Sequence, residues 1–321
     1  MNRTAKFFGA AIGIFVCYFY YGILQEAITK GKYEHKVTNA DGTVEVTQEK
    51  FVYSLSLVFI QCVVNYAYAL ILLQTVQREK PTDAVVENRL YGVCALTYIL
   101  AMVSSNMALQ WVSYPTQVIG KSCKPIPVML LGVLLANRRY ALRKYLFVLL
   151  IVIGIGLFMY KPKLSSTSNP NVFSTGELLL VMSLAMDGLT GAIQERMRVN
   201  NQKPNSAVMM KMMNLFSIGY TLVALVLSSE IYSFIVFVLN HPEVVWKITT
   251  FCIASSLGQF FIFVMVTDFG PLPCSIVTTT RKFFTVLASV ILFGNVLTNT
   301  QWTGAVLVFL GLGLDSLYGG K

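Results

Sequence analysis

Charge is scarce in this sequence. Only 12% of the residues are Asp, Glu, Lys or Arg, against 55% that are hydrophobic. A soluble domain carries about 25% charged residues, so a soluble enzyme is excluded and a polytopic membrane protein is expected. Histidine is scarcer still. His35 and His241 lie in polar loops far apart in the chain, which removes a histidine-based metal site. The cysteines (Cys17, Cys62, Cys94, Cys123, Cys252 and Cys274) all fall inside apolar runs, and no two form a CxxC pair. They are expected to be buried thiols rather than a disulfide framework. There is no nucleophile–base arrangement and no phosphate-cradling glycine loop. The run IGKSCK at 119–124 lacks the earlier glycine and the preceding strand of that motif. No catalytic residue, metal or cofactor is expected, and the chain is not expected to be an enzyme. Acidic residues are outnumbered 15 to 25, for a net charge of +10. The excess cations lie mainly between apolar runs, where orientation signals sit, and not on the basic face of a soluble helix. No nucleic-acid partner is expected.

What the sequence has is long apolar runs. Ten spans are expected, at about 7–28, 51–75, 90–112, 114–135, 145–160, 174–194, 207–228, 244–267, 271–293 and 301–317, with a short interfacial helix at 230–242. The first is too long for a signal-peptide core and is read as retained. Its Gly9 and Gly13 form a GxxxG that would permit close helix packing. Its end carries Tyr18, Tyr20 and Tyr21 and then Gln25 and Glu26. That end is either an interfacial aromatic belt or the lining of a cavity in which rings stack on a base and Glu26 pairs with a buried cation. The polar loop at 29–50 alternates as a small hairpin around Asp41-Gly42 would. A linker rich in Lys, Ser, Asn and Pro at 161–173 divides the chain into a first repeat at 1–160 and a second at 174–321. At one constant offset Gly154 and Gly156 fall on Gly311 and Gly313, Lys124 on Arg281, and Tyr145 on Trp302. Five spans is an odd number, so the second half must insert upside down. The fold expected is an all-α membrane protein of two inverted five-helix repeats, the plan of secondary transporters with a site near the midplane. With both termini in the cytosol, the loop lysines and arginines divide about two to one in favour of that side.

Two spans break the apolar rule. The run at 114–135 carries Lys121 and Lys124, three residues apart and so on one helix face. The run at 271–293 carries Arg281 and Lys282. A lysine at the centre of a membrane helix costs roughly 2.5–3.5 kcal/mol on insertion scales. One explanation is structural pairing with Glu26, Asp187, Asp268 or Asp315. The other is an anionic substrate held between the two helices, and phosphate fits because lysine and arginine give it charge-assisted hydrogen bonds. Pro115, Pro125, Pro127, Pro271 and Pro273 weaken the helices at these positions and free backbone groups for a ligand. Gln117, four residues before Lys121, shares its face, and Ser122 follows it. Asn106, Gln259 and Thr278 to Thr280 are further polar candidates, for ligand contact or for helix–helix packing.

The runs FVCYFYYGILQE (15–26), YPTQVIGKSCKPIPVMLLGV (114–133), DGLTG (187–191) and TTTRKFF (278–284) resemble those of the nucleotide-sugar transporter family, within the drug/metabolite transporter superfamily. The resemblance spans essentially the whole chain and points to the family's endoplasmic-reticulum branch that exchanges ATP for ADP. It implies ten helices, alternating access, and a multi-pass antiporter of the endoplasmic reticulum membrane that exchanges cytosolic ATP for lumenal ADP. The alternative is a UDP-sugar (UDP-galactose or UDP-glucose)/UMP exchanger. It also implies that Lys121, Lys124, Arg281 and Lys282 contact phosphates, with Gln117 and Glu26 nearby; Ser122 is added from its place beside Lys121. ATP, ADP or other nucleotides and membrane lipid are the partners expected, with a homodimer left open. One departure is at the end. Where the family member carries a dilysine retrieval signal, this chain reads Tyr318-Gly319-Gly320-Lys321, so a trimmed tail or another retention signal is expected.

Overall fold

The computed structural model describes residues 3–29, 31–38, 44–75, 86–108, 111, 117, 120–137, 139–159, 175–198, 204–292 and 298–318. Pro115, Gln110, the Asp41-Gly42 turn and the linker at 161–173 lie outside the described residues, as do the side chains of Glu26 and Asn106. The described chain forms eleven helices and one two-stranded sheet. In order these are α1 (Arg3–Thr29), β1 (Lys32–Thr38), β2 (Val44–Lys50), α2 (Ser54–Thr75), α3 (Asn88–Ala108), α4 (Pro125–Ala136), α5 (Leu142–Met159), α6 (Thr175–Arg196), α7 (Ser206–Ser228), α8 (Glu230–Asn240), α9 (Glu243–Phe269), α10 (Pro271–Leu292) and α11 (Asn299–Tyr318). The ten expected spans correspond to these helices once the turn preceding α4 is joined to it, and α8 is the expected short helix. By length and composition α1, α2, α6, α7 and α9 are long and apolar enough to cross a membrane. This is an all-α membrane protein, with the hairpin as a small addition. All six cysteines are thiols; Cys62, Cys94, Cys252 and Cys274 are buried and Cys17 and Cys123 half-buried.

The chain packs as two compact units, Met1–Asp83 with Pro204–Val264, and Ala84–Lys203 with Met265–Lys321. Each unit draws helices from both sequence halves. In the first unit α2 packs on α7, and Gly13 of α1 accepts the Phe261 ring of α9, while Gly9 of the same GxxxG has nothing against it. Tyr18 and Tyr21 meet at 5.4 Å, and Tyr21 stacks on Phe251 at 4.4 Å, whereas Tyr20 is exposed. The hairpin pairs Lys32 with Lys50 through Thr38 with Val44. It is pinned by a buried cluster of Ile28, Tyr33, Phe51, Leu57, Phe237 and Phe251. Tyr33 donates to the Ile28 carbonyl at 3.1 Å, and burial together with the Glu243 carboxylate raises its phenol pKa. Asn205 caps α7, its side chain accepting from the Ala207 and Val208 amides. Glu230 accepts from both the amide and the hydroxyl of Ser56 at 2.9 Å, tying α8 to the start of α2.

The second unit has a core of Val128, Met129, Ile151, Ile155, Phe158, Ile276, Phe283 and Val308. Its tightest seam is α5 against α11. A Cβ added to Gly154 would lie 2.8 Å from the Gly304 carbonyl and the Val308 amide, and one added to Gly311 would lie 2.7 Å from Ile151. Gly156 and Gly313 both face open space. Of the glycines aligned between the halves, one pair thus lies in the seam and the other in the open. Lys144 and Asp315 close the same seam with an ion pair of 2.5 Å.

Gly154→Val is expected to force α5 and α11 apart and to lower stability by about 1–3 kcal/mol, the range of overpacked sites. Gly156→Val, two residues away and facing open space, should leave the thermal midpoint nearly unchanged. Thermal denaturation of the purified protein compares the two directly.

Candidate functional site

The lysine face is built by prolines. Residues 120–122 are helical, 123–124 form a turn, and α4 begins at Pro125. Pro125 has no amide hydrogen for the Lys121 carbonyl, and Pro127 none for that of Cys123. Those carbonyls are taken one residue early, by the Lys124 amide at 3.3 Å and the Ile126 amide at 3.0 Å. Bonds of this i+3 type eclipse side chains three apart, so Lys121 and Lys124 are brought over one another.

Both reach the same carboxylate. Lys121 Nζ is 2.6 Å from Asp187 Oδ2, and Lys124 Nζ is 3.0 Å from Asp187 Oδ1. Asp187 comes from the DGLTG run of α6, and the two glycines of that run bring α6 onto α4. A Cβ on Gly188 would meet Pro127 and Leu131 within 2.9 Å, and one on Gly191 would meet Val128 at 2.8 Å. The site is only partly covered: the Asp187 side chain is 8% exposed, Lys121 15% and Lys124 35%.

The second pair of cations arrives on α10, which packs on α4, α5 and α6. Its start is fixed by a corner. Gly270 has φ of +106° and donates to the Met265 and Val266 carbonyls, closing α9, and Pro271 then opens α10. Arg198 grips this corner, donating from Nε to the Thr267 carbonyl at 3.0 Å and from Nη2 to the Asp268 carbonyl at 3.3 Å. Glu195, one turn earlier, holds Arg198 Nη1 at 3.2 Å. The rotation of α10 is fixed by Phe283, fully buried and edge-on to Phe158 at 4.8 Å. Next to it, Arg281 and Lys282 are half-buried. Lys282 is within electrostatic reach of Arg281, Lys121, Lys124 and Asp187. Among the described residues it has neither a carboxylate partner nor a hydrogen bond.

The structure thus brings Lys121, Lys124 and Lys282 together around Asp187, with Arg281 next to Lys282 on α10. Among these described groups, three lysine charges less the one carboxylate charge leave two over. Ser122 is buried beside Lys121. Gln117 is buried too, and its amide donates to the carbonyl and hydroxyl of Ser105 on α3, at 2.7 and 3.0 Å. Glu26 belongs to the other unit, and its side chain is outside the described residues. Of the remaining candidates, Gln259 accepts from Asn214 at 2.9 Å, while Thr278 and Thr280 bond back to the carbonyls of Cys274 and Ile276. Asp315 is taken by Lys144. Sequence reasoning missed the Glu195–Arg198 grip; an acid in the last turn of the DGLTG helix and an arginine three residues on was the available signal.

The model of the UAA transporter family matches residues 6–319. Solute carrier family 35 member B1 of Danio rerio is 51% identical over 99% of this chain and 93% of its own length. The protein of the same name from Xenopus tropicalis is 54% identical over 96% and 92%, and the Drosophila melanogaster homolog is 51% identical over 100% and 93%. A solved crystal structure aligns with a TM-score of 0.67 at 11% identity over 99% of this chain and 98% of that one, a likeness of fold alone.

Replacing Arg198 by Met should release the Thr267 and Asp268 carbonyls and loosen the corner from which α10 starts. Hydrogen exchange at the amides of 270–276 is expected to quicken, with a fall in stability of about 1.5–3 kcal/mol, the range for hydrogen bonds to a charged group.

Proposed function

We propose, on the premise that this chain belongs to the UAA transporter family, that it is an antiporter exchanging cytosolic ATP for lumenal ADP across the endoplasmic reticulum membrane by alternating access. Both termini lie in the cytosol in this proposal. A multi-pass transporter of this family needs a site for the nucleotide phosphates. Lys121, Lys124, Arg281 and Lys282 are assigned to it, with Ser122 and Gln117 in supporting contact.

The observation that carries the reading is the charge surplus. Three lysines gathered around a single carboxylate in a membrane-embedded cluster are costly when empty. They become favourable when a polyphosphate supplies the missing negative charge through charge-assisted hydrogen bonds. The diphosphate of a nucleotide sugar is esterified at both ends and carries about two negative charges, against about three on ADP and about four on ATP, so the lysine surplus favours the nucleoside triphosphate and diphosphate over UDP-galactose or UDP-glucose. The full-length relatives named solute carrier family 35 member B1 are consistent with a carrier of this kind.

Lys124→Ala and Arg281→Ala are each expected to abolish most uptake of labelled ATP into proteoliposomes while the protein still folds. Nucleotide should raise the thermal midpoint of the native protein by binding the folded state, and both variants should lose that shift. Liposomes preloaded with ADP should take up labelled ATP much faster than empty ones, and UDP-galactose should compete poorly. Uptake indifferent to internal nucleotide would exclude exchange. Strong competition by UDP-galactose would favour the UDP-sugar/UMP exchanger.

A further inference from the structure

Lys121 and Lys124 already share an anion. The two oxygens of Asp187 are divided between them, Oδ2 on Lys121 at 2.6 Å and Oδ1 on Lys124 at 3.0 Å. A phosphate group would meet the same pair in the same way, with two oxygens of one centre bridging two ammonium groups. Two lysines three residues apart can be bridged by a substrate or by Asp187. Each Nζ has three donors, but a carboxylate and a phosphate crowded between the same two ammonium groups would repel one another, so one displaces the other from the shared position.

Asp187 is also held in place. Gly188, the next residue, is pressed on Pro127 and Leu131, and Gly191 on Val128. The carboxylate is thus carried on a helix that cannot withdraw from the lysine turn without opening that contact. Lys282 stands apart from the bridge and keeps no partner of its own among the described residues, although it lies within electrostatic reach of the three charged groups that form it.

We propose that Asp187 is a resident counter-anion, which occupies the place between Lys121 and Lys124 that a substrate phosphate takes and so sets the minimum charge a substrate must bring. This rests on the reading of the four cations as a phosphate site. An incoming anion gains little by replacing one carboxylate with one phosphate. It gains when a further phosphate reaches Lys282 as well. A nucleoside monophosphate is therefore disfavoured against a diphosphate or triphosphate. On release the carboxylate returns to both lysines, which hastens departure of the product and spares the empty site two bare ammonium groups.

The test uses the full-length protein in detergent, with inorganic pyrophosphate as the probe and thermal shift as the readout. Lys121→Met removes a cation and should raise the half-saturating pyrophosphate concentration about tenfold, within the usual span of such couplings. Adding Asp187→Asn to that variant should recover most of the loss, because the competing carboxylate leaves with the lysine. Asp187→Asn alone should melt below wild type in the absence of anion and respond to about tenfold less pyrophosphate, and AMP should now give a shift that wild type lacks. The proposal is overturned if the double variant stays as weak as Lys121→Met. It is equally overturned if Asp187→Asn melts lower with no stronger response to pyrophosphate, or if neither Asp187→Asn protein folds even when prepared in pyrophosphate. Each of these results, in a protein whose wild type responds to the anion, leaves the phosphate site standing and reduces Asp187 to a structural bond. A wild type that responds to neither pyrophosphate nor ATP removes the phosphate site itself.

Discussion

One carboxylate shared by two lysines, with a third lysine close by, is the constraint on which the site of the second unit depends. One carboxylate, Asp187, serves Lys121 and Lys124 at 2.6 and 3.0 Å. In a medium of low dielectric, two ammonium groups this close repel strongly unless an anion lies between them. Each local feature near the site bears on that demand. The prolines shorten the turn so that both lysines aim the same way. The glycines of α6 let Asp187 approach. Phe283, locked against Phe158, fixes the rotation of the helix that brings Arg281 and Lys282. The lysine charge left over after Asp187 is the physical ground of the proposal that this cluster binds an anion. The Lys144–Asp315 pair in the same unit is matched one to one and suggests no ligand.

Much of the fold was legible because a membrane simplifies the code. With no water to satisfy the backbone, long apolar runs must be helices, and most expected limits fall within a few residues of the observed ones, the exception being the start of the fourth run, where the helix opens only at Pro125. The lysine pair was legible because a charge inside such a run needs a reason. The partner of that pair was only half legible. Asp187 was one of four candidate carboxylates, and nothing in a linear sequence says that α6 lies against α4. The signal was local: the glycines at 188 and 191 mark a helix face built for close approach, but the partner they face is set by packing over 60 residues away. The grip of Arg198 on the Gly270 corner was illegible for the same reason, since its acceptors are backbone carbonyls and carry no side-chain signature.

The two halves of the chain are interleaved in packing. Helices from each half meet in both units, with α5 packed on α11 and α2 on α7. Neither unit can be completed from one half of the chain alone. The seam between α5 and α11 needs the last helix of the chain in place, and so do the surroundings of α10. Completion of the cation site in the second unit therefore waits for the C-terminal helices to be inserted.

That seam also limits how the second unit can deform. Backbone meets backbone at Gly154 and Gly304, and Gly311 lies on Ile151, with no side chain between to act as a cushion. Two rods in such contact resist lengthwise slip, because any shift by part of a turn drives a neighbouring side chain into the facing main chain. α5 and α11 thus form a stiff spar, and bending within this unit has to be taken up elsewhere, at the proline turn before α4 and at the Gly270–Pro271 corner.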